Sequence, residues 1–485
     1  MTIRALRLRD DIRMSIVHRD ETRFGSALTG LIDQLVRLGC RPVLEAGGLE
    51  RAEASTGLAD CFSARALGQL YAAPDRLREA CLYPDARLVT PVRLAVHRPA
   101  TGGPRPCAVP PSLWSELAGW LGEWRRPSMA PRHASARTLW NALANAGAMT
   151  AEPARSPRAL PELTMVGHAT VALCEGATRL LFDPFFVPAG AEGGYRPLGP
   201  DELEPDAVFV THSHPDHYDF GSLLQLGADT PIYVPAVERE SLLALDMAGR
   251  LRALGFRRVH ALAAGDVVQV GPWRVEAQPM FGEQPTDAEV LHGECRNVGL
   301  VYLASTPRRR FALLADAGAD QRGNCIELAQ RMRAQSGPID ALLTGFRGWT
   351  LRPAQLLGSS VARYLLFVPR DQWARRYRIM NDAQDVVAIA RAWGANVVIP
   401  YANGGAPWFW EMGLGPRLDD RSGPVDVDFD PDLGPLISEI DAARTQGSAL
   451  RMLSMHPGEG VDLDRAITPR AVIEPGWPFG ERGAA

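Results

Sequence analysis

The nine residues THSHPDHYD, 211–219, constrain this chain more than any other stretch. Three of its ten histidines, His212, His214 and His217, stand here with Asp216 and Asp219, directly after the apolar run DAVFV. A strand sends alternate side chains to opposite faces, so residues two apart share one. His212 and His214 can therefore share a face at a strand end. Pro215 turns the chain, and beyond a strand the alternation no longer holds, so Asp216 and His217 can be aimed at the same place. A divalent cation needs several such donors converging on one point. The spacing predicts two ligand pairs serving two neighbouring ions. With ten histidines in 485 residues, a chance cluster is a poor account of it.

The rest of the composition excludes several chemistries. All 52 Lys and Arg positions are arginine. Schiff-base lysines and a phosphate-loop lysine are therefore ruled out. The formal net charge of −4 gives no footprint for nucleic acid or an anionic membrane. The seven cysteines are odd in number, widely spaced and free of any CxxC pair, which argues against a disulfide framework, a zinc ribbon or a thiolate-bound cluster. The first residues, MTIRALRLRDDIRM, are basic but lack an apolar h-region, and no run of about 20 apolar residues occurs. These features predict a soluble, cytoplasmic protein.

At 485 residues, two domains are expected. Residues 1–155 read as a smaller mixed α/β accessory domain for recognition or dimerisation. It has a predicted helix at RFGSALTGLIDQLVRLG, strands at RPVLEAGG and ARLVTPVRLAVHR, and a Trp-rich helix at LWSELAGWLGEWRR. The Trp stripe is more readily core than binding surface. A further helix, SARTLWNALANAGAMT, has Ser135 as possible N-cap and Gly147 near its stop. AEPARSPRALPE, 151–162, is the best linker candidate. Residues 160–485 alternate strands with helical stretches such as AVERESLLALDMAGRLRALG and NCIELAQRMRAQSG, which suggests two sheets face to face with helices outside. From about Leu414 an acidic, Pro-rich C-terminal extension follows, and order returns near ALRMLSMHPGEG.

THSHPDH resembles the HxHxDH signature of the metallo-β-lactamase fold superfamily. VGHATVAL with LLFDPFF resembles the opening hairpin of one branch, and LLADAG the strand end that carries a bridging aspartate, here Asp316. The resemblance covers roughly residues 162–405 and implies an αββα sandwich with a dinuclear site at one edge. Hydrolytic members usually carry a third His where MFGEQP offers Glu283. A carboxylate-rich mixed site suits iron or manganese better than zinc. This substitution resembles the diiron β-hydroxylases typified by the chloramphenicol-pathway enzyme. That resemblance implies two irons, O2 and an external reductant or electron donor. It also implies an amino-acid or peptide substrate, tethered to a carrier protein, in natural-product biosynthesis, and a likeness to dimeric enzymes. His212, His214, Asp216, His217, Glu283 and Asp316 match the subgroup's ligands, with Asp216, Glu283 and Asp316 as the catalytic carboxylates. The family's last ligand is a late His; VVIPYANGG offers Tyr401 and Asn403 instead. Asn403, His456 or water could complete the second ion.

Weaker candidates surround this set. His168 of GHAT reads as a supporting residue near the site, and Asp183 as a group that orients a ligand His or caps the turn. His260 reads as structural, and Tyr218 as a proton donor or a packing residue. His292, Glu294 and Arg296 could line a pocket, and GGAPWFWEM a substrate wall. Two other functions compete with the dinuclear oxygenase. One is a zinc- or manganese-dependent hydrolase of a phosphodiester, lactone, amide or thioester. The other is a scaffold that keeps the site for stability.

Overall fold

A computed structural model describes residues 5–10, 12–18, 91–97, 104–186, 198–240, 244–282, 298–346, 350–351, 377–378, 380–402, 433–455 and 457–466. Two seven-stranded sheets dominate it. The first runs, edge to edge, Val259–Leu262, Ile232–Pro235, Ala207–Phe209, Thr178–Phe182, Thr170–Glu175, Leu163–Gly167 and Gly460–Val461. The second runs Val267–Val270, Trp273–Pro279, Leu300–Ser305, Arg310–Leu313, Ala341–Thr344, Val397–Pro400 and Arg451–Met452. Each sheet is half hairpins and half parallel strands.

The period of two decides the layers. Leu163, Met165, Val171, Leu173, Leu180, Phe182, Ala207 and Phe209 enter the core that also holds Trp273, Val275 and Ala277 of the second sheet. Their neighbours Val166, Ala172, Leu181, Val208 and Val210 enter a separate core on the other side. Both faces are covered, so these strands read as continuous apolar runs rather than alternating ones. The helices Cys325–Ser336, Ala383–Trp393 and Gly434–Thr445 pack Leu328, Ile389 and Leu436 into the first of these cores. The αββα sandwich is thus present.

The N-terminal elements form the layer over the first sheet. Met14, Leu94, Leu117, Trp124 and Leu143 share one apolar core with Val208 and Val210. The tryptophans are core, as their stripe predicts: Trp124 is fully buried and meets Trp140 edge to face at 5.1 Å. The LWSELAGWLGEWRR stretch divides into a 3-10 turn, Pro111–Glu116, and a helix, Leu117–Glu123. Helix Ala134–Asn145 is capped by His133, whose Nδ1 accepts from the Ala136 amide, and not by Ser135. Residues 151–162 carry no helix or strand, yet they are tied down. Arg7 donates to the Glu152 and Pro153 carbonyls at 2.8 and 2.7 Å, and Arg155 donates to Glu202 at 2.8 Å. The expected elements at RFGSALTGLIDQLVRLG and RPVLEAGG lie outside the described residues.

One further expectation changes, and another gains detail. Residues 236–240 are not helical; the helix begins only at Met247, where the Asp246 carboxylate accepts from the Gly249 amide. The C-terminal extension supplies an edge strand to each sheet. Arg451–Met452 joins the second and Gly460–Val461 the first. Buried Glu162 fastens this end, pairing with Arg309 at 2.7 Å and accepting from the Leu463 amide at 3.0 Å. No helix among the described residues is long and apolar enough to cross a membrane.

Candidate metal centre

The chemistry-bearing residues gather at one edge of the sandwich, where several strands end. His212 to His217 follow Ala207–Phe209, Asp183 follows Thr178–Phe182, Asp316 follows Arg310–Leu313, and His168 sits in the hairpin after Leu163–Gly167. The second sheet grips the strand end that carries the histidines. The Tyr302 hydroxyl donates to the Val210 carbonyl at 2.8 Å, and the Leu300 amide donates to Thr211 at 2.8 Å. The turn closes on itself when the His217 and Tyr218 amides donate to the His214 carbonyl at 3.0 and 2.8 Å.

Two donor groups result. Within each, the donor atoms lie no more than 4.8 Å apart. One is His212, His214 and Asp316; the other is His168, Asp216 and His217. They adjoin, since His217 Nε2 stands 3.4 Å from Asp316 Oδ2 and 3.7 Å from Asp216 Oδ2. Five of the six residues are buried, and Asp216 is partly so.

Asp183 orders this arrangement as its place in the sequence predicts. Its carboxylate accepts from the Thr211 amide and hydroxyl, both at 2.6 Å, and from His217 Nδ1 at 2.8 Å. Fixing the proton on Nδ1 points Nε2 into the site, the usual role of a carboxylate behind a ligand imidazole. Burial opposes charge on His217, but Asp316, Asp216 and Asp183 outweigh it and hold its pKa well above the ordinary imidazole value. Burial likewise pushes Asp216 up. The His217 charge and the His168 hydrogen bond outweigh that and hold it well below the usual carboxylate range.

The backbone is strained where the donors leave it. Four non-glycine residues among those described have positive φ, and three are here: Ala169 at 51°, Asp183 at 44° and Ala315 at 47°. Each costs about 1–3 kcal/mol and persists only where its surroundings over-determine it. Tyr401 does part of this. Its hydroxyl accepts from the Ala315 amide at 3.1 Å, and its carbonyl accepts from the Ala169 amide at 2.8 Å. Sequence reasoning placed Tyr401 at the site but missed this fastening role.

The residues fit a divalent pair. His217 Nε2 and Asp316 Oδ1 are buried and make no hydrogen bond among the described residues. Burying such atoms without a partner costs about 1–3 kcal/mol each, which a cation between them would remove. Imidazole with carboxylate is a donor set for iron, manganese or zinc. The chain reaches Gly282 beside this centre, because the Phe281 carbonyl accepts from the Gly318 amide at 2.8 Å. Glu283, Asn403, His456, His292, Glu294, Arg296 and GGAPWFWEM lie outside the described residues. Tyr218 turns away, donating to the Met247 carbonyl at 3.1 Å. His260 is exposed and stacks on Tyr233.

The fold is the metallo-β-lactamase sandwich, and its edge carries two clusters of donors that could hold metal ions. Residues 178–400 match the family model described as the beta-lactamase superfamily domain. It is similar to the 4-amino-L-phenylalanyl-[CmlP-peptidyl-carrier-protein] 3-hydroxylase of Streptomyces venezuelae, at 28% identity over 277 residues. That alignment covers 55% of this chain and 48% of the relative, so the chain spans about half of that relative's length. The crystal structure of CmlA, a diiron beta-hydroxylase from Streptomyces venezuelae, superposes with a TM-score of 0.61 at 18% identity, covering 94% of this chain and 99% of that one. A UPF0173 metal-dependent hydrolase of Methanosarcina mazei is 39% identical over 69 residues, 14% of this chain and 27% of the relative.

Proposed function

We propose that the chain is a dinuclear non-haem iron oxygenase that hydroxylates an amino-acid-derived substrate carried on a protein or peptide. The observation that carries the reading is the 28% identity, over 277 residues, to a hydroxylase of a carrier-bound aminoacyl group. In this reading His212, His214 and Asp316 hold one ion, and Asp216 and His217 share in the other. Glu283 is a further ligand of the first ion, and Asn403, His456 or water completes the second. When bound, the iron pair supplies O2 activation with electrons from an external donor. The protein's part is positional. Asp183 fixes the His217 tautomer, the left-handed turns hold the donors in place, and the apolar layers on both sides exclude water.

Hydrolysis by a zinc or manganese pair is the second reading, favoured by the 39% identity over 69 residues to a metal-dependent hydrolase. One comparison separates them. The protein is expressed with iron, and an aminoacyl thioester is supplied with and without O2 and a reductant. Hydroxylated product formed only with both is expected. Two zinc ions per chain and O2-independent cleavage of the thioester would overturn the oxygenase reading.

A further inference from the structure

We infer that His168, from the first hairpin and far from the histidine cluster in sequence, is a ligand of the second metal ion. The inference rests on the dinuclear reading above and adds a donor to it.

The spacing fits donors placed around one cation as well as it fits a hydrogen bond. Donors about 2.1 Å from a common cation stand roughly 3.0–3.4 Å apart in octahedral or tetrahedral arrangement. Here His168 Nε2 lies 3.1 Å from Asp216 Oδ2. His217 Nε2 lies 3.7 Å from that same oxygen and 3.4 Å from Asp316 Oδ2. A single hydrogen bond needs one imidazole at one carboxylate. Here two imidazoles bring Nε2 to 3.1 and 3.7 Å from the same oxygen, the second a little beyond the polyhedron range, and His217 Nε2 forms no hydrogen bond with either carboxylate. The two rings stand edge to face at 71°, with centroids 5.9 Å apart, so their ring nitrogens converge without the rings stacking.

His168 is also held as a ligand would be. It is fully buried. The next residue, Ala169, has φ of 51°, and its amide is fastened to the Tyr401 carbonyl. The His168 carbonyl accepts from the Thr170 hydroxyl at 2.9 Å. That hydroxyl lies 2.6 Å from the carbonyl of Asp183, the residue that orients His217. The two imidazoles of the second group are thus positioned by one connected piece of backbone. A donor here also meets a need visible in the sequence, because VVIPYANGG brings no histidine to the site and the Tyr401 hydroxyl is engaged with Ala315.

Cobalt(II) titration of the metal-free full chain, followed by its visible absorption, tests this without reference to turnover. Wild type should take two ions, and His168→Ala should keep one and bind the second more than about 100-fold more weakly, beyond what removal of a merely orienting residue does. His168→Glu and His168→Gln separate ligation from hydrogen bonding. A glutamate cannot hydrogen-bond the Asp216 carboxylate at neutral pH, yet it can share a cation with it; a glutamine can donate that hydrogen bond, while its neutral carboxamide oxygen is a much weaker cation ligand than a carboxylate or an imidazole. Recovery of the second ion by Glu and not by Gln is expected. That contrast also decides the matter if His168→Ala fails to fold. Two tightly held ions in His168→Ala, or recovery by Gln alone, would overturn the inference and leave the dinuclear centre standing. A wild-type chain that takes only one ion would overturn both.

Discussion

Two buried clusters of charge lie in this molecule, and they are built on opposite rules. At the joint between the N-terminal layer and the first sheet, three arginines meet three carboxylates. Arg7 pairs with Asp10 at 2.9 Å, Arg125 with Asp201 at 2.9 Å and Arg155 with Glu202 at 2.8 Å. Cross-pairs at 3.4 and 3.6 Å link Asp10 to Arg125 and Arg155. At the sandwich edge, the only ionic partners of Asp183, Asp216 and Asp316 among the described residues are imidazoles. The joint neutralises itself. The edge does not: among the described residues His217 Nε2 and Asp316 Oδ1 make no hydrogen bond, whereas Asp201 Oδ2, the atom at the joint that also lacks one, stands 4.0 Å from the Arg7 guanidinium. A closed network of matched charge holds parts together, whereas an open one is arranged around something it must bind.

Substitutions should separate the two. The largest effect is expected for His214→Ala, which removes a donor of the first group; metal content per chain should fall and turnover should be lost, with thermal unfolding of the metal-free protein little changed. Asp183→Asn should weaken metal binding by about 10- to 100-fold, read by competition with a chelator, because it leaves the His217 tautomer unfixed. Arg125→Ala reverses the pattern. It strands Asp201 and Asp10 and should destabilise the fold by about 3 kcal/mol in denaturant titration, leaving metal stoichiometry unchanged in the folded protein. Loss of metal without loss of stability in Arg125→Ala would break the distinction. Tyr401→Phe is the smallest, at about 1 kcal/mol, since it deprives the buried Ala315 amide of its acceptor.

Gly221 joins the two regions. A Cβ there would stand 1.8 Å from the Met14 carbonyl oxygen, so only glycine allows strand Arg13–His18 to approach the helix that follows the histidine turn. Gly221→Ala should cost about 1–3 kcal/mol through overpacking. Weaker metal binding in that variant would show that the N-terminal layer braces the centre.

What could be read from sequence was local. HxHxDH is six residues long, and the strand before it fixes which side chains converge, so His212, His214, Asp216 and His217 were visible at once. The sandwich was legible for the same reason: its strands are short apolar runs whose two faces each find a cover. Asp183 could be assigned because a carboxylate behind a ligand imidazole is a recurrent need. The helix start at Met247 was missed because one capping carboxylate, Asp246, outweighed a longer helical pattern.

The sequence by itself determined the fold class and the residue types that can hold a metal. Only the tertiary structure decided that His168 stands 3.1 Å from Asp216, that Tyr401 fastens Ala315, and that the N-terminal elements share a core with the first sheet. These contacts join residues 48, 86 or more than 100 positions apart, and no periodicity along the chain encodes them. They exist because two sheets bring their strand ends to one edge and because the outer face of the first sheet must be covered.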